Sequence, residues 1–324
     1  MLTAVDEKNC LINLLETLPA SRSKQYFCPF CHSEVVFKNG PIKLPHFAHK
    51  QLKTCTLGNE NESEQHLMLK KELYEWLKET ESVEIEHYLP ELRQTPDLLI
   101  NGKVALEIQC SPLSLKRLHE RTMNYRLHGF KVVWLMGRDL WLGNRLTELK
   151  KQLLYYSENH GFHYWELDLT KRLLRLQSLI HEDLRGRLFY VTHSFSFKEK
   201  PLLDCLRTPF VQQELLKMAV YPDNQLQHFI HNQLFHKSPK WLHLQSLYYQ
   251  KGKNILDLDF MRPYIAPPGL NLLVPFKDNL TGSSFEQLSK IPVSYYQNFL
   301  DVFQKKKIEI LYPPRFYAIM KKQK

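Results

Sequence analysis

The chain has 324 residues, a length that suits two or three domains, and its 43% hydrophobic and 24% charged residues are ordinary for a globular protein. Eleven glycines and 18 prolines exclude a collagenous or low-complexity chain. The 44 Lys+Arg against 34 Asp+Glu leave a net charge of +10, which favours a polyanionic partner, nucleic acid first.

The first 60 residues read as small and ribbon-like. Thr3 to Glu7 and Leu11 to Leu15 flank Lys8-Asn9 as a hairpin, and a strand over Glu34 to Lys38 ends at the turn signal Asn39-Gly40-Pro41. Such a segment buries little apolar surface, so an external staple is expected. From Ser63, a candidate N-cap, Leu67, Leu69, Leu73, Trp76 and Leu77 recur mostly at helical spacing and predict a helix over 63–79. Strands follow at Val83 to Leu89, Pro96 to Ile100 and Lys103 to Cys110, the last two joined by Asn101-Gly102, a type I′ hairpin signature. Ser111-Pro112 reads as N-cap and first residue of a helix that stops at Gly129, and Phe130 to Met136 as a buried strand. The order is α-β-β-β-α-β. A helix is expected over Arg145 to Tyr156, then a hairpin of Tyr164 to Leu169 with Leu173 to Leu179. Beyond Pro209 the pattern is mainly helical, with candidates at Phe210 to Val220, Gln225 to Phe235, Trp241 to Gln250 and Tyr295 to Gln304. The reading is a multidomain α+β protein: a small β-rich segment over 1–60, an αβββαβ domain over 61–158, and a mainly helical domain over 159–324.

Met1 to Lys8 carries Asp6 and Glu7 and leads into no long apolar run, so no signal peptide is expected. The most apolar stretch, Val132 to Leu142, is interrupted by Arg138 and Asp139, which excludes it as a membrane span. Six cysteines are too sparse for a disulfide scaffold, so a soluble cytoplasmic protein is expected.

Two constellations carry chemistry. Cys28-x-x-Cys31 followed by His46-x-x-His49 offers thiolates and imidazoles that favour tetrahedral Zn²⁺, with Cys55 as a competing ligand. The rival readings are a redox Cys pair and buried thiols beside core histidines; the surroundings lack a thioredoxin-like βαβ unit. The second constellation is Pro96-Asp97 followed across the hairpin by Glu107-Ile108-Gln109. Residues two apart in a strand share a face, so Glu107 and Gln109 project together, and Asp97 begins the neighbouring strand. Two close carboxylates repel unless a cation joins them, and oxygen donors select hard ions such as Mg²⁺ or Mn²⁺. Arg117, Arg121 and Tyr125, at i, i+4, i+8, form a stripe suited to positioning phosphates; His66 and Lys70 are a second-rank i, i+4 pair.

The element order with Pro96-Asp97…Glu107-x-Gln109 resembles the PD-(D/E)xK nuclease superfamily. The resemblance implies a restriction-endonuclease-like core with Asp97 and Glu107 as metal ligands, Glu64 as an additional acid, and Gln109 in the usual lysine position, orienting water. Met1-Leu2-Thr3-Ala4, Cys28-Pro29-Phe30-Cys31, His46-Phe47-Ala48-His49, Glu64…His66…Lys70 and Glu107-Ile108-Gln109, in that order, resemble the competence protein CoiA family. That resemblance implies DNA, single-stranded or branched, as partner, a strand-exchange recombinase as a further one, and a role in processing incoming DNA during natural transformation. Because glutamine can hydrogen-bond but carries no charge, a non-catalytic DNA-binding mediator and a protein-interaction module stand as alternatives to a metal-dependent deoxyribonuclease.

Overall fold

The computed structural model describes residues 1–19, 25–41, 43–50, 62–157, 160–206 and 223–260, with 218–219, 265–266, 268 and 310–311. Cys55, the helix expected over 295–304 and the lysine runs at 305–307 and 321–324 lie outside the described residues. The fold is mixed α+β, and the chain divides into two compact units. One comprises Met1–Trp141, Trp165–Arg175 and Ser194–Arg207; the other comprises Leu142–Tyr164, Leu176–His193 and Thr208–Lys324.

The first unit begins with a five-stranded sheet built from β1 (Thr3–Asp6), β2 (Leu11–Asn13), β3 (Tyr26–Phe27), β4 (Glu34–Lys38) and β5 (His46–His49), in the order β2-β1-β3-β4-β5. All its strand pairs are antiparallel. Its core is small: Met1, Ala4, Leu14, Tyr26, Cys28, Val35 and Phe47.

The sequence then builds α1 (Glu64–Leu77), capped by the Ser63 hydroxyl, which accepts from the His66 N–H at 3.2 Å. Next come β6 (Val83–Ile85), β7 (Leu98–Ile100), β8 (Val104–Gln109), α2 (Leu115–Leu127) and β9 (Lys131–Met136), the expected α-β-β-β-α-β order. Asn101 and Gly102 both take positive φ, 51° and 62°, which the tight turn between β7 and β8 demands. The cap of α2 is Ser114 rather than Ser111, its hydroxyl accepting from the Arg117 N–H at 3.3 Å. Strand β8 is antiparallel to β7 and parallel to β9, with Glu107 opposite Trp134 and Gln109 opposite Met136. Beyond β9, Glu166 lies in parallel register with Met136.

Strand β8 is buried over Val104–Ile108, covered on both faces, so its two sets of side chains meet different helices. Helix α1 packs on β6, β7 and β8. Ala105 belongs to the cluster of Leu89, Leu92, Leu99 and Tyr125, which places the Ala105, Glu107, Gln109 face toward α2.

In the second unit, the helices Leu226–Phe235 and Pro239–Tyr249 share a core of Leu226, Ile230, Trp241, Leu244 and Ile255. Three expectations need correction. The helix over 145–156 shrinks to Glu148–Gln152, and Tyr155–Ser157 becomes a strand paired with Gly161–His163. The strands expected over 164–169 and 173–179 do form, as neighbours within Gly161–Asp168 and Leu173–Asp183, but a third strand, Leu188–Ser196, follows, so residues 161–196 do not begin a mainly helical domain. Their aromatic residues suit a sheet, and Leu174 and Leu176 are buried on one face. Met218–Ala219, at the end of the helix expected over 210–220, pairs as a short strand with Ile310–Leu311; the rest of that expectation lies outside the described residues. Among the described residues no helix is long and apolar enough to cross a membrane.

Candidate functional site

Helix α1, the β6–β7 segment, β8 and α2 surround a cavity of about 170 Å³ that is lined by Glu62, His66, Thr95, Asp97, Glu107, Gln109, Arg117 and Arg121, among others. Ligand atoms of Glu62, His66 and Asp97 all lie within 4.8 Å of one another. Asp97 Oδ2 accepts the Ile108 N–H at 2.8 Å, while Oδ1 faces His66 Nε2 at 3.1 Å and Lys70 Nζ at 3.0 Å. Lys70 is also 2.6 Å from Glu62 Oε1 and 2.7 Å from Glu86 Oε1, and its side chain is only 1% exposed. The Met1 ammonium stands 2.8 Å from Glu62 Oε2.

These charges decide the protonation states. Burial would raise the Glu62 carboxyl, but Lys70, the Met1 ammonium and His66 overcome it and hold the group below the ordinary carboxylate range. Asp97 is held low in the same way, with His66 and Lys70 acting against burial. Burial opposes the charge on Lys70, and Asp97, Glu62 and Glu86 more than compensate, so it stays an ammonium. Burial also opposes charge on His66, and Asp97 prevails, raising its pKa. Thr95 Oγ1 and Arg121 Nε are buried with no hydrogen-bond partner, and both residues line this cavity. Unsatisfied polar atoms around one cavity are what a polar ligand or water would complete.

The expected residues divide. Asp97 and Gln109 line the cavity, but the Gln109 amide donates to the Ser111 carbonyl at 2.7 Å. Glu107 reaches the cavity wall, yet its Oε1 takes Arg121 Nη2 at 2.5 Å and the Tyr125 hydroxyl at 2.7 Å. Burial raises the Glu107 pKa against the pull of Arg121. Asp97 is thus grouped with Glu62 and His66 rather than with Glu107. Tyr125, expected to touch DNA, is fully buried and binds Glu107 instead. Arg117 lies at the cavity wall, half-buried.

Glu64 is exposed and does not line the cavity, whereas Glu62 does. The spacing explains it. Glu64 opens α1 two residues before His66 and points to the far side of the helix, whereas Glu62 precedes the Ser63 cap, four residues before His66, with its Oε1 3.9 Å from His66 Nδ1. That fourfold spacing was the signal for Glu62. Glu86, in the segment after β6, carries no comparable signal.

The second constellation forms in the N-terminal sheet. Ligand atoms of Cys28, Cys31 and His49 lie within 4.8 Å of one another, with Cys31 Sγ and His49 Nε2 3.4 Å apart. His46 is not part of this group, and its Nδ1 lies 2.9 Å from the Leu44 carbonyl oxygen. His46 and His49 sit on one strand, and residues three apart on a strand face opposite sides. Burial pushes the Cys28 thiol up to about 12 and lowers His49. A thiol pair and a neutral imidazole are the donor set of a borderline-soft ion such as Zn²⁺, whose charge displaces thiol protons. Among the described residues no cysteine is in a disulfide.

The mixed α+β fold is consistent with a nuclease-like domain, and comparison with known proteins supplies that description. Residues 62–209 match the family described as "Competence protein CoiA, nuclease-like domain", beginning at Glu62, and residues 13–58 match "Competence protein CoiA, N-terminal domain". The chain belongs to the competence protein CoiA family. A relative, "Competence protein CoiA" of Bacillus subtilis (strain 168), is 30% identical over 191 residues, 54% of this chain and 47% of the relative. The matched stretch therefore spans about half of that relative's length. No solved structure matches the chain.

Proposed function

We propose that this chain is a metal-dependent DNA-processing nuclease that acts on incoming DNA in natural transformation, on a restriction-endonuclease-like core. The observation that supports it is the meeting of Glu62, His66 and Asp97 within 4.8 Å in a cavity whose wall also carries Arg117 and Arg121. Two carboxylates and an imidazole fit Mg²⁺ or Mn²⁺ in charge and donor type. When bound, such an ion polarises a phosphoryl oxygen and offsets charge developing on the phosphodiester. Asp97 and Glu62 would hold it. Arg117 and the unpaired Nε of Arg121 would take phosphate oxygens, and Glu107 and Tyr125 keep the Arg121 guanidinium in place. The net positive charge then holds a polyanion around an acidic centre. In the N-terminal sheet, Cys28, Cys31 and His49 would hold a structural Zn²⁺.

One observation favours a second reading. Lys70 already lies against both Glu62 Oε1 and Asp97 Oδ1, so these carboxylates are neutralised without a metal, and Gln109 is bound to Ser111. This is what a non-catalytic DNA-binding mediator on a nuclease-like fold would show. The deciding experiment incubates the wild type and Asp97→Asn with single- and double-stranded DNA in Mg²⁺, Mn²⁺ or chelator. Metal-dependent cleavage that Asp97→Asn loses supports the nuclease. Equal, salt-sensitive DNA binding with no cleavage from either protein supports the mediator. Absence of DNA binding removes both.

A further inference from the structure

Glu86, which faces Lys70 beside the cavity, also reaches across to the start of the N-terminal sheet. It takes a left-handed φ of 50°, which costs a residue with a Cβ and persists only where neighbours over-determine it. Those neighbours are Leu2, Thr3 and Lys70. The Leu2 N–H lies 2.9 Å from Glu86 Oε1 and 2.8 Å from Oε2, and the Thr3 N–H and Thr3 hydroxyl each donate to Oε2 at 2.9 Å. Oε1 faces the Lys70 ammonium at 2.7 Å, with side-chain exposures of 8% for Glu86 and 1% for Lys70. Strand β1 and the two residues ahead of it, which supply these donors, are anchored on both sides. β1 pairs with β3, which leads into Cys28, and the Phe47 N–H, two residues before His49 in β5, donates to the Met1 carbonyl at 2.9 Å.

We infer that Glu86 is a positioning residue through which the N-terminal sheet holds the Lys70 ammonium on Asp97 and Glu62. The inference rests on the reading of the carboxylate cavity as the functional site. A lysine side chain is long and turns freely, and three carboxylates compete for its ammonium. Glu86 is the only one of them fixed by two backbone N–H groups and a hydroxyl, so it sets where the ammonium stands. The N-terminal sheet then supports the site from behind Lys70 rather than being an appendage. An amide in place of this carboxylate puts an NH₂ donor against donors on every side, because Leu2, Thr3 and Lys70 all present N–H or O–H groups.

The test measures acetylation of Lys70 in the folded full-length chain by mass spectrometry, with exposed Lys131 as internal reference. Glu86→Gln is expected to raise the Lys70 rate at least tenfold, and Thr3→Val about two- to threefold, with Lys131 unchanged. DNA cleavage by Glu86→Gln is expected to lose at least tenfold in kcat with KM within twofold. A wild-type Lys70 rate in folded Glu86→Gln overturns the inference, as does a cleavage loss that tracks thermal stability alone. If Glu86→Gln does not fold, Thr3→Val carries the test, and a wild-type Lys70 rate there overturns it. Absence of cleavage by every protein defeats the nuclease reading while the labelling still decides the role of Glu86.

Discussion

Arg121 Nη2 lies 2.5 Å from Glu107 Oε1, and the Tyr125 hydroxyl shares that oxygen at 2.7 Å. The Glu107 side chain is 4% exposed and that of Arg121 27%. Removing one member of a buried pair strands the other charge, which typically costs about 3 kcal/mol or more. Glu107→Ala is therefore expected to lower unfolding stability by about that amount, and Glu107→Gln, which keeps an acceptor for Arg121 and Tyr125, by about half as much. Urea unfolding of the three proteins checks this. Equal stability of Glu107→Ala and wild type would show that the pair is not formed. Lost DNA processing in Glu107→Ala is accordingly weak evidence of a catalytic role, and Asp97→Asn is the sharper probe.

The alternation of β5 separates its two histidines. Purified wild type is expected to carry one Zn²⁺, His46→Asn to keep it, and Cys28→Ser and His49→Asn to lose it. Elemental analysis by mass spectrometry is the measurement. Zinc lost equally from the His46 and His49 variants would return His46 to the ligand set. Zinc binding should also release protons near neutral pH, because burial keeps the Cys28 thiol protonated in the metal-free protein.

The αβββαβ order was legible because its boundaries carry local chemistry: Ser63 capping α1, Asn101-Gly102 turning between β7 and β8, Gly129 with φ 81° ending α2. The faces were less legible. A run of Glu62, Ser63, Glu64 offers two acids; the helical angle turns Glu64 away from His66 and Lys70, and Glu62, ahead of the Ser63 cap, is the one that lines the cavity. The stripe Arg117, Arg121, Tyr125 was readable as a stripe, but its target was not. Sequence spacing gives the side of α2, and the packing of Ala105 and Tyr125 turns that side toward Glu107. Glu86 was invisible for a different reason. Its role comes from donors more than 80 positions away, at Leu2 and Thr3, and no local pattern reports a contact of that range.

Acid should weaken the fold through His181. This histidine is 1% exposed, its Nδ1 lies 2.6 Å from the Leu179 carbonyl oxygen, and burial lowers its pKa to about 4 against a weaker opposing effect of that contact. Unfolded, the ring takes a proton near pH 6.5; folded, it resists until about pH 4. The unfolded state therefore binds more protons throughout that window, and stability falls as pH falls through it. The expected loss between about pH 7 and pH 5 is about 2 kcal/mol. Urea unfolding at both pH values, compared with His181→Gln, checks it. An acid-side slope unchanged in the variant would remove His181 as the cause.

The ends of β8 and β9 approach too closely for any side chain at Gly137. A Cβ there would stand 2.6 Å from Cys110 Sγ and 3.2 Å from the Cys110 Cα, and Cys110 is buried. The backbone at this point is also committed, since the Gly137 N–H donates to the Gln109 carbonyl at 2.8 Å. Gly137→Ala must therefore push apart the two strand ends that carry Gln109 and the chain leading into Ser111. Overpacking of this kind typically costs about 1–3 kcal/mol. Cys110→Ala removes the Sγ contact but keeps those with Cα and Cβ, each at 3.2 Å, so Gly137→Ala combined with Cys110→Ala should recover part of the loss and no more. A double-mutant cycle on unfolding free energy measures the coupling. Additive losses would show that Cys110 Sγ is not what the new methyl meets, and a Gly137→Ala protein as stable as wild type would show that the strand ends separate without cost.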